Sequence, residues 1–209
     1  MAFAPALTCP LRCVEPDPRM AAVLRRNTAA YPLVSVEVGR FEDWRPDRRY
    51  GLLYAASCWQ WLDPARRWDL AHAALAPGGT LAFLGNPARI VDPDLLAGLL
   101  AIERDCGIDS SPHLNDGDLT RDIPDGPNSP AHEAARDDRF TDLRPVRLRH
   151  PVRLGTRAYQ DYLASLSAYR IAPAANREHA LERVGALLDA HGGGIDVDRL
   201  NDIVLARAR

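Results

Sequence analysis

Four short stretches of this chain carry residue types that could do chemistry. In "LRCVEPDP" (Leu11–Pro18) an apolar, strand-like run ends on Glu15, and Pro16 and Asp17-Pro18 follow it. A carboxylate at the carboxyl end of a strand, beside a helix N-terminus, is suited to accept two hydrogen bonds from a ribose diol. The same residue could also serve as a cap in the "EPDP" turn. In "GRFEDW" (Gly39–Trp44) the glycine permits close backbone approach. Phe41 and Glu42 could frame a planar heterocycle, or form an ordinary loop with a core phenylalanine. In "AASCWQW" (Ala55–Trp61) small residues at a strand end, Ala56 and Ser57, leave space for a ligand. Trp59 and Trp61, flanking Gln60, offer flat apolar walls, although a tryptophan more often packs in a core. In "APGGTLAF" (Ala76–Phe83) the two glycines make a helix-to-strand turn, a structural role.

The elements that must position these residues alternate. Leu11–Glu15 reads as a strand, and Asp17-Pro18 supplies an N-cap and a proline at the first helical position. In the helix Arg19–Asn27, Met20, Val23 and Leu24 share one face. Leu33–Val38 alternates and is β-branched, as a second strand would be. Tyr50–Ala56 is a continuous apolar run, the pattern of a parallel strand buried on both faces. Asp63-Pro64 repeats the cap and opens a helix to about Leu75, and Thr80–Gly85 is another buried strand. The expected fold is therefore α/β, Rossmann-like, with a mostly parallel sheet, helices on both faces and an antiparallel C-terminal strand. Functional loops belong at the carboxyl ends of such strands.

After Asn86 the character changes. A helix over Asp94–Arg104 leads into Gly107–Pro130, rich in Asp, Pro, Gly and Ser, which reads as a lid, a binding loop or disorder. Pro145–Leu154 is an edge strand interrupted at Pro151. Helices near Arg157–Tyr169 and Ala175–Ala190 follow, and "HGGG" (His191–Gly194) stops the second. Ile203–Ala206 sits in a last, closing strand. A single domain over 1–209 is expected, with 11–86 as its core, 87–194 on the lid side and 195–209 closing the sheet.

Bulk properties exclude several classes. The chain has 209 residues, 46% hydrophobic and 26% charged, with a net charge of −2. This suits a globular protein with a sizeable core. No basic face points to nucleic acid, and no apolar run nears the roughly 20 residues that span a bilayer. The N-terminus lacks the early positive charge of a signal peptide, so a cytoplasmic location is expected. Cys9, Cys13, Cys58 and Cys106 form no metal-ligand spacing and read as reduced thiols, with no metal expected.

Taken together, in this order, the four stretches resemble the class I S-adenosylmethionine-dependent methyltransferase family. The nearest branch is that of small-molecule enzymes similar to trans-aconitate methyltransferases. The C-terminal "YLASLSAYR…HGGGIDVDRLNDIVLARAR" resembles the tail of that branch. The resemblance implies S-adenosylmethionine as cofactor and a small-molecule acceptor, with no nucleic acid or membrane as partner. Glu15 matches the acidic residue that holds the ribose hydroxyls, with Pro16 beside it. Phe41 and Glu42 match positions beside the adenine, and Ala56 and Ser57 the strand end facing the methionine moiety. Trp59, Gln60 and Trp61 match the segment between cofactor and acceptor.

One departure stands out. The family carries a first strand and a glycine-rich loop upstream of the acidic residue, and the residues ahead of Glu15 contain no glycine. The expected sheet is therefore N-terminally incomplete, and the open strand edges would favour a homodimer. Beside a truncated or mis-started form of an active enzyme, two rival readings follow: a degenerate, non-catalytic module acting through a protein partner, and a nicotinamide-dependent oxidoreductase on a related sheet. His113, His132 and Tyr159 are the candidate general bases, each more readily read as a solvated or packed residue, so no catalytic residue is assigned.

Overall fold

The computed structural model describes residues 8–108 and 130–209. His113 and nearly all of the Gly107–Pro130 insert lie outside the described residues. The chain divides into two compact units, the first made of Met1–Leu53, Cys58–Leu81 and Ala208–Arg209, the second of Tyr54–Ser57 and Ala82–Arg207.

In the first unit, β1 (Leu11–Glu15) and β2 (Val34–Val38) pair in parallel, with Leu11 opposite Val34 and Glu15 opposite Val38. Two parallel strands need a crossover, and α1 (Pro18–Thr28) supplies it. The expected start of α1 is present: Asp17 is the N-cap and accepts from the Arg19 amide at 2.8 Å, and Pro18 opens the helix. Its buried face differs from the expected one. Ala21 and Thr28 are buried, whereas Met20 and Val23 are exposed at 61% and 44%. The physical reason is spacing: residues 21, 24 and 28 form one stripe, and a two-stranded sheet covers one stripe only.

Next come β3 (Tyr50–Ala56), a short 3₁₀ turn at Trp59–Trp61, α2 (Arg67–Ala74) and β4 (Leu75–Gly85). Asp63 caps a turn rather than the helix itself. Its carboxylate accepts from the Ala65 amide at 2.9 Å, and its carbonyl accepts from the Arg66 and Arg67 amides. β3 is a strand as expected, but Gly51 and Leu52 are exposed, Leu52 at 55%. β3 ends the strand order β3-β4-β7-β5, so among the described residues only one flank has a neighbour. Gly79 is required by close packing, since a Cβ there would lie 2.8 Å from the Ala76 carbonyl and 3.0 Å from that of Tyr50.

The second unit holds most of the apolar core. After β5 (Ala88–Ile90), Asp92 caps α3 (Pro93–Asp105) through the amides of Asp94 and Leu95. Then follow α4 (Pro130–Ala134), β6 (Phe140–Gly155), α5 (Thr156–Ser165), α6 (Ser167–Ile171) and α7 (Ala174–Ala190). Gly192 and Gly193 stop α7 at φ of +89° and +75°, a region costly for residues with a Cβ. The chain closes on β7 (Gly194–Ala208), longer than the Ile203–Ala206 core of the sequence pattern. β7 runs antiparallel to β5, and β6 pairs with it as well. The result is a mixed α/β, Rossmann-like architecture.

Leu95, Leu99, Ile102, Leu163, Val184 and Leu188 fill the core where α3, α5 and α7 meet. Within it lie Tyr159 and Tyr169, at 1% and 0% exposure, with the buried Glu103 beside them. Burial pushes both phenols far up from their ordinary value, and neighbouring Glu103 adds to the shift. Each phenol keeps its proton in the fold and loses it near pH 10 when unfolded. Stability is therefore intact below pH 10 and falls as pH rises above it. Urea unfolding between pH 8 and 11 is expected to show this decline, and Tyr159→Phe is expected to reduce its slope.

Candidate functional site

The β1–β2 register decides what the first unit presents. Because the strands are parallel and Glu15 stands opposite Val38, both carboxyl ends emerge together. The Gly39 amide donates to the Glu15 carbonyl at 3.1 Å, so the Gly39–Trp44 loop starts beside Glu15. The Glu15 carboxylate uses one oxygen to accept from the Asp17 amide at 2.9 Å. Its other oxygen has no hydrogen-bond partner among the described residues. Pro16 is exposed and Glu15 half-buried. Glu15 thus braces the turn ahead of α1, whose N-cap is Asp17, and keeps one oxygen without a partner among the described residues.

The loop is fixed from within. Phe41 is half-buried and stacks on Trp44 with ring centroids 6.0 Å apart, and Trp44 meets Tyr50 at 5.6 Å. Glu42 is 4% exposed. Its Oε1 accepts from the Asp63 amide at 2.9 Å, and its Oε2 faces Arg40 at 3.5 Å. The Asp63 amide, then Arg40, hold its carboxyl below the usual range. Arg66 donates to the Glu42 carbonyl at 3.0 Å. Glu42 therefore ties its loop to the turn that opens α2, a role its position in the sequence did not show.

The tryptophans divide. Trp59 is 4% exposed, meets Trp68 edge-on at 4.9 Å, and lies under the Arg67 guanidinium at 5.3 Å. Arg67 also donates to the Trp59 carbonyl at 3.1 Å. Trp59 is thus the core anchor of the 3₁₀ turn, while Gln60 and Trp61 are exposed, Trp61 at 71%.

In the second unit, Ala56 and Ser57 are exposed at the carboxyl end of β3. Ser57 adopts φ of +51°, held by its amide donating to the Leu84 carbonyl at 2.8 Å. Its hydroxyl lies 3.0 Å from Asn86 Oδ1 and donates to it. Asn86 in turn lines an open cleft of about 470 Å³, whose polar wall also includes His150, Tyr162, Arg199 and Asn201. The sequence reading did not single out these residues. Asn86 alone carried a signal, as the first residue past the carboxyl end of a strand. Tyr159 is buried, unlike a base that must meet a substrate, and His132 sits in α4. Among the described residues no His, Cys, Asp or Glu group could hold a metal, and all four cysteines are free. No described helix is long and apolar enough to cross a membrane.

The Glu42 tie yields a prediction. Glu42→Ala leaves the Asp63 amide without its acceptor and is expected to cost about 1–3 kcal/mol in urea unfolding at pH 7. Because the carboxyl is held low, its contribution is present at neutral pH and fades as pH falls through that depressed value. The difference between variant and parent is expected to narrow as pH falls below the ordinary glutamate value, about 4.3.

No family model matches the chain, and no curated protein matches it. Solved structures do. A provisionally assigned type II methyltransferase from Anaeromyxobacter dehalogenans aligns at TM-score 0.55 and 21% identity, over 96% of this chain and 80% of that one. A provisionally assigned methyltransferase from Bacillus halodurans gives TM-score 0.53 and 12% identity, over 99% and 85%. A SAM-dependent methyltransferase from Geobacter sulfurreducens, solved with S-adenosyl-L-homocysteine, gives TM-score 0.51 and 14% identity, over 100% and 79%. At these identities the likeness shows the fold: the chain has the Rossmann-like α/β fold of class I methyltransferases.

Proposed function

We propose that this chain is an S-adenosylmethionine-dependent methyltransferase acting on a small-molecule acceptor. The observation that carries the reading is the β1–β2 register, which brings a carboxylate with a spare oxygen beside a rigid aromatic loop at the carboxyl ends of two parallel strands. In open α/β sheets ligands bind at those ends. The likeness in fold to methyltransferases supports it.

The residues present suit the adenosine half of the cofactor. Glu15 Oε2 would accept from the ribose hydroxyls, a charge-assisted contact, with Pro16 beside it. Phe41 would pack against the adenine. Glu42 would act by holding the loop, since its carboxylate already accepts from the Asp63 amide. In the second unit, Ala56 and Ser57 are small and exposed at a strand end, and the family resemblance assigns such positions to the methionine moiety. Trp59 would anchor the turn that carries Gln60 and the exposed Trp61.

When bound, the cofactor would supply a methyl group already activated on a sulfonium, so that an acceptor lone pair could take it with the thioether as leaving group. The protein's contribution is then orientation and exclusion of water, with no residue required as nucleophile. A general base matters only for an acceptor protonated at neutral pH.

Calorimetric titration with S-adenosylhomocysteine tests this. The parent is expected to bind it and not NAD⁺, and Glu15→Ala to bind about tenfold or more weakly, as loss of a charged hydrogen bond implies. Equal affinity in both proteins removes Glu15 from the site. No binding by a folded parent overturns the reading.

A further inference from the structure

The arginines of β6 and β7 follow a rule with one exception. Arg144 pairs with Asp142 at 2.9 Å, Arg147 with Asp202 at 2.6 Å, and Arg149 with Asp198 at 2.6 Å. Arg153 meets Asp196 at 3.0 Å and Arg207 meets Asp142 at 3.9 Å. Arg199 alone of the arginines on these strands has no carboxylate partner among the described residues. It lines the cleft with His150, Asn201, Asn86 and Tyr162, and with the apolar Leu154 and Val197. Among the described residues the lining contains no Asp or Glu. The nearest in sequence, Asp198, is 0% exposed and already faces Arg89 and Arg149.

The cleft is thus lined in part by apolar side chains, with two carboxamides and a guanidinium that has no carboxylate partner among the described residues. About 470 Å³ falls in the range of small-molecule sites. A guanidinium fork is suited to hold an oxyanion through two parallel hydrogen bonds. The place is also informative, because Asn86 joins the cleft to the Ser57 hydroxyl at the carboxyl end of β3.

We infer that this cleft binds the acceptor, that the acceptor carries an oxyanion tail on an apolar body, and that Arg199 is the residue selecting for that tail. The inference rests on the methyl-transfer reading for the claim that the bound molecule is an acceptor. The anion preference stands on the cleft itself.

The test titrates the full chain at low salt with benzoate, phenyl phosphate and neutral benzamide, and separately with S-adenosylhomocysteine. At least one of the two anions is expected to bind tenfold or more tightly than benzamide. Arg199→Gln is expected to abolish that preference while binding S-adenosylhomocysteine as the parent does. Preference for benzoate identifies a carboxylate tail, and preference for phenyl phosphate a phosphate monoester. A parent that binds S-adenosylhomocysteine but takes benzamide as well as the anions overturns the inference and spares the methyl-transfer reading. Anion binding that survives in Arg199→Gln also overturns it. A parent that selects anions through Arg199 yet fails to bind S-adenosylhomocysteine overturns methyl transfer instead.

Discussion

The parallel pairing of β1 with β2 is the constraint on which the functional reading depends. Parallel strands joined through a helix must deliver their carboxyl ends to the same side, and here those ends are Glu15 and Val38. A one-residue slip would turn the alternate side chains to the opposite face and move Glu15 away from its loop. The register is supported at both ends. The Leu11 amide donates to the Leu33 carbonyl at 2.8 Å, and the Gly39 amide to the Glu15 carbonyl at 3.1 Å. Arg12 adds a contact to Glu37 at 3.5 Å, exposed and so worth little.

The two units differ in how they are held. The second buries a continuous set of leucine, isoleucine, valine and tyrosine side chains, each of the larger ones worth roughly 1.5–3 kcal/mol. The first buries few large apolar residues, chiefly Trp44, Trp59, Leu75 and Leu81, and leaves Met20, Val23, Leu33, Val38, Leu52 and Trp61 exposed. Polar ties carry more of its local order. The Glu42–Asp63 contact, the Arg66 bond to the same loop and the Asp17 cap each fix a segment that apolar packing does not. Binding residues concentrate on loops positioned by regular elements, and the Gly39–Trp44 loop fits that pattern.

Much of this was legible in the sequence because it is written in local chemistry. Asp17-Pro18 fixed the start of α1, and alternation in Leu33–Val38 revealed β2. The glycines after α7 marked its end, since only they take its positive φ cheaply. What was not legible depends on partners distant in the chain. The Met20–Val23 stripe is apolar, but burial follows the covering face, and that face receives Ala21 and Thr28. Trp59 and Trp61 look alike in the sequence, and only Trp68 and Arg67 distinguish the buried one. Leu52 sits in a strand that ends its sheet order, a topological fact with no local signature. Arg199 is one arginine among many until its neighbours are seen to be paired.

The most direct measurement is an amide-resolved NMR titration of the isotopically labelled chain with S-adenosylhomocysteine. The account predicts that the amides of Gly39, Phe41 and Glu42, together with those of Pro16's neighbours Glu15 and Asp17, shift in concert and saturate with a single affinity. Saturable binding that leaves all five unmoved would contradict it, because the ligand would then be held somewhere other than the paired carboxyl ends of β1 and β2.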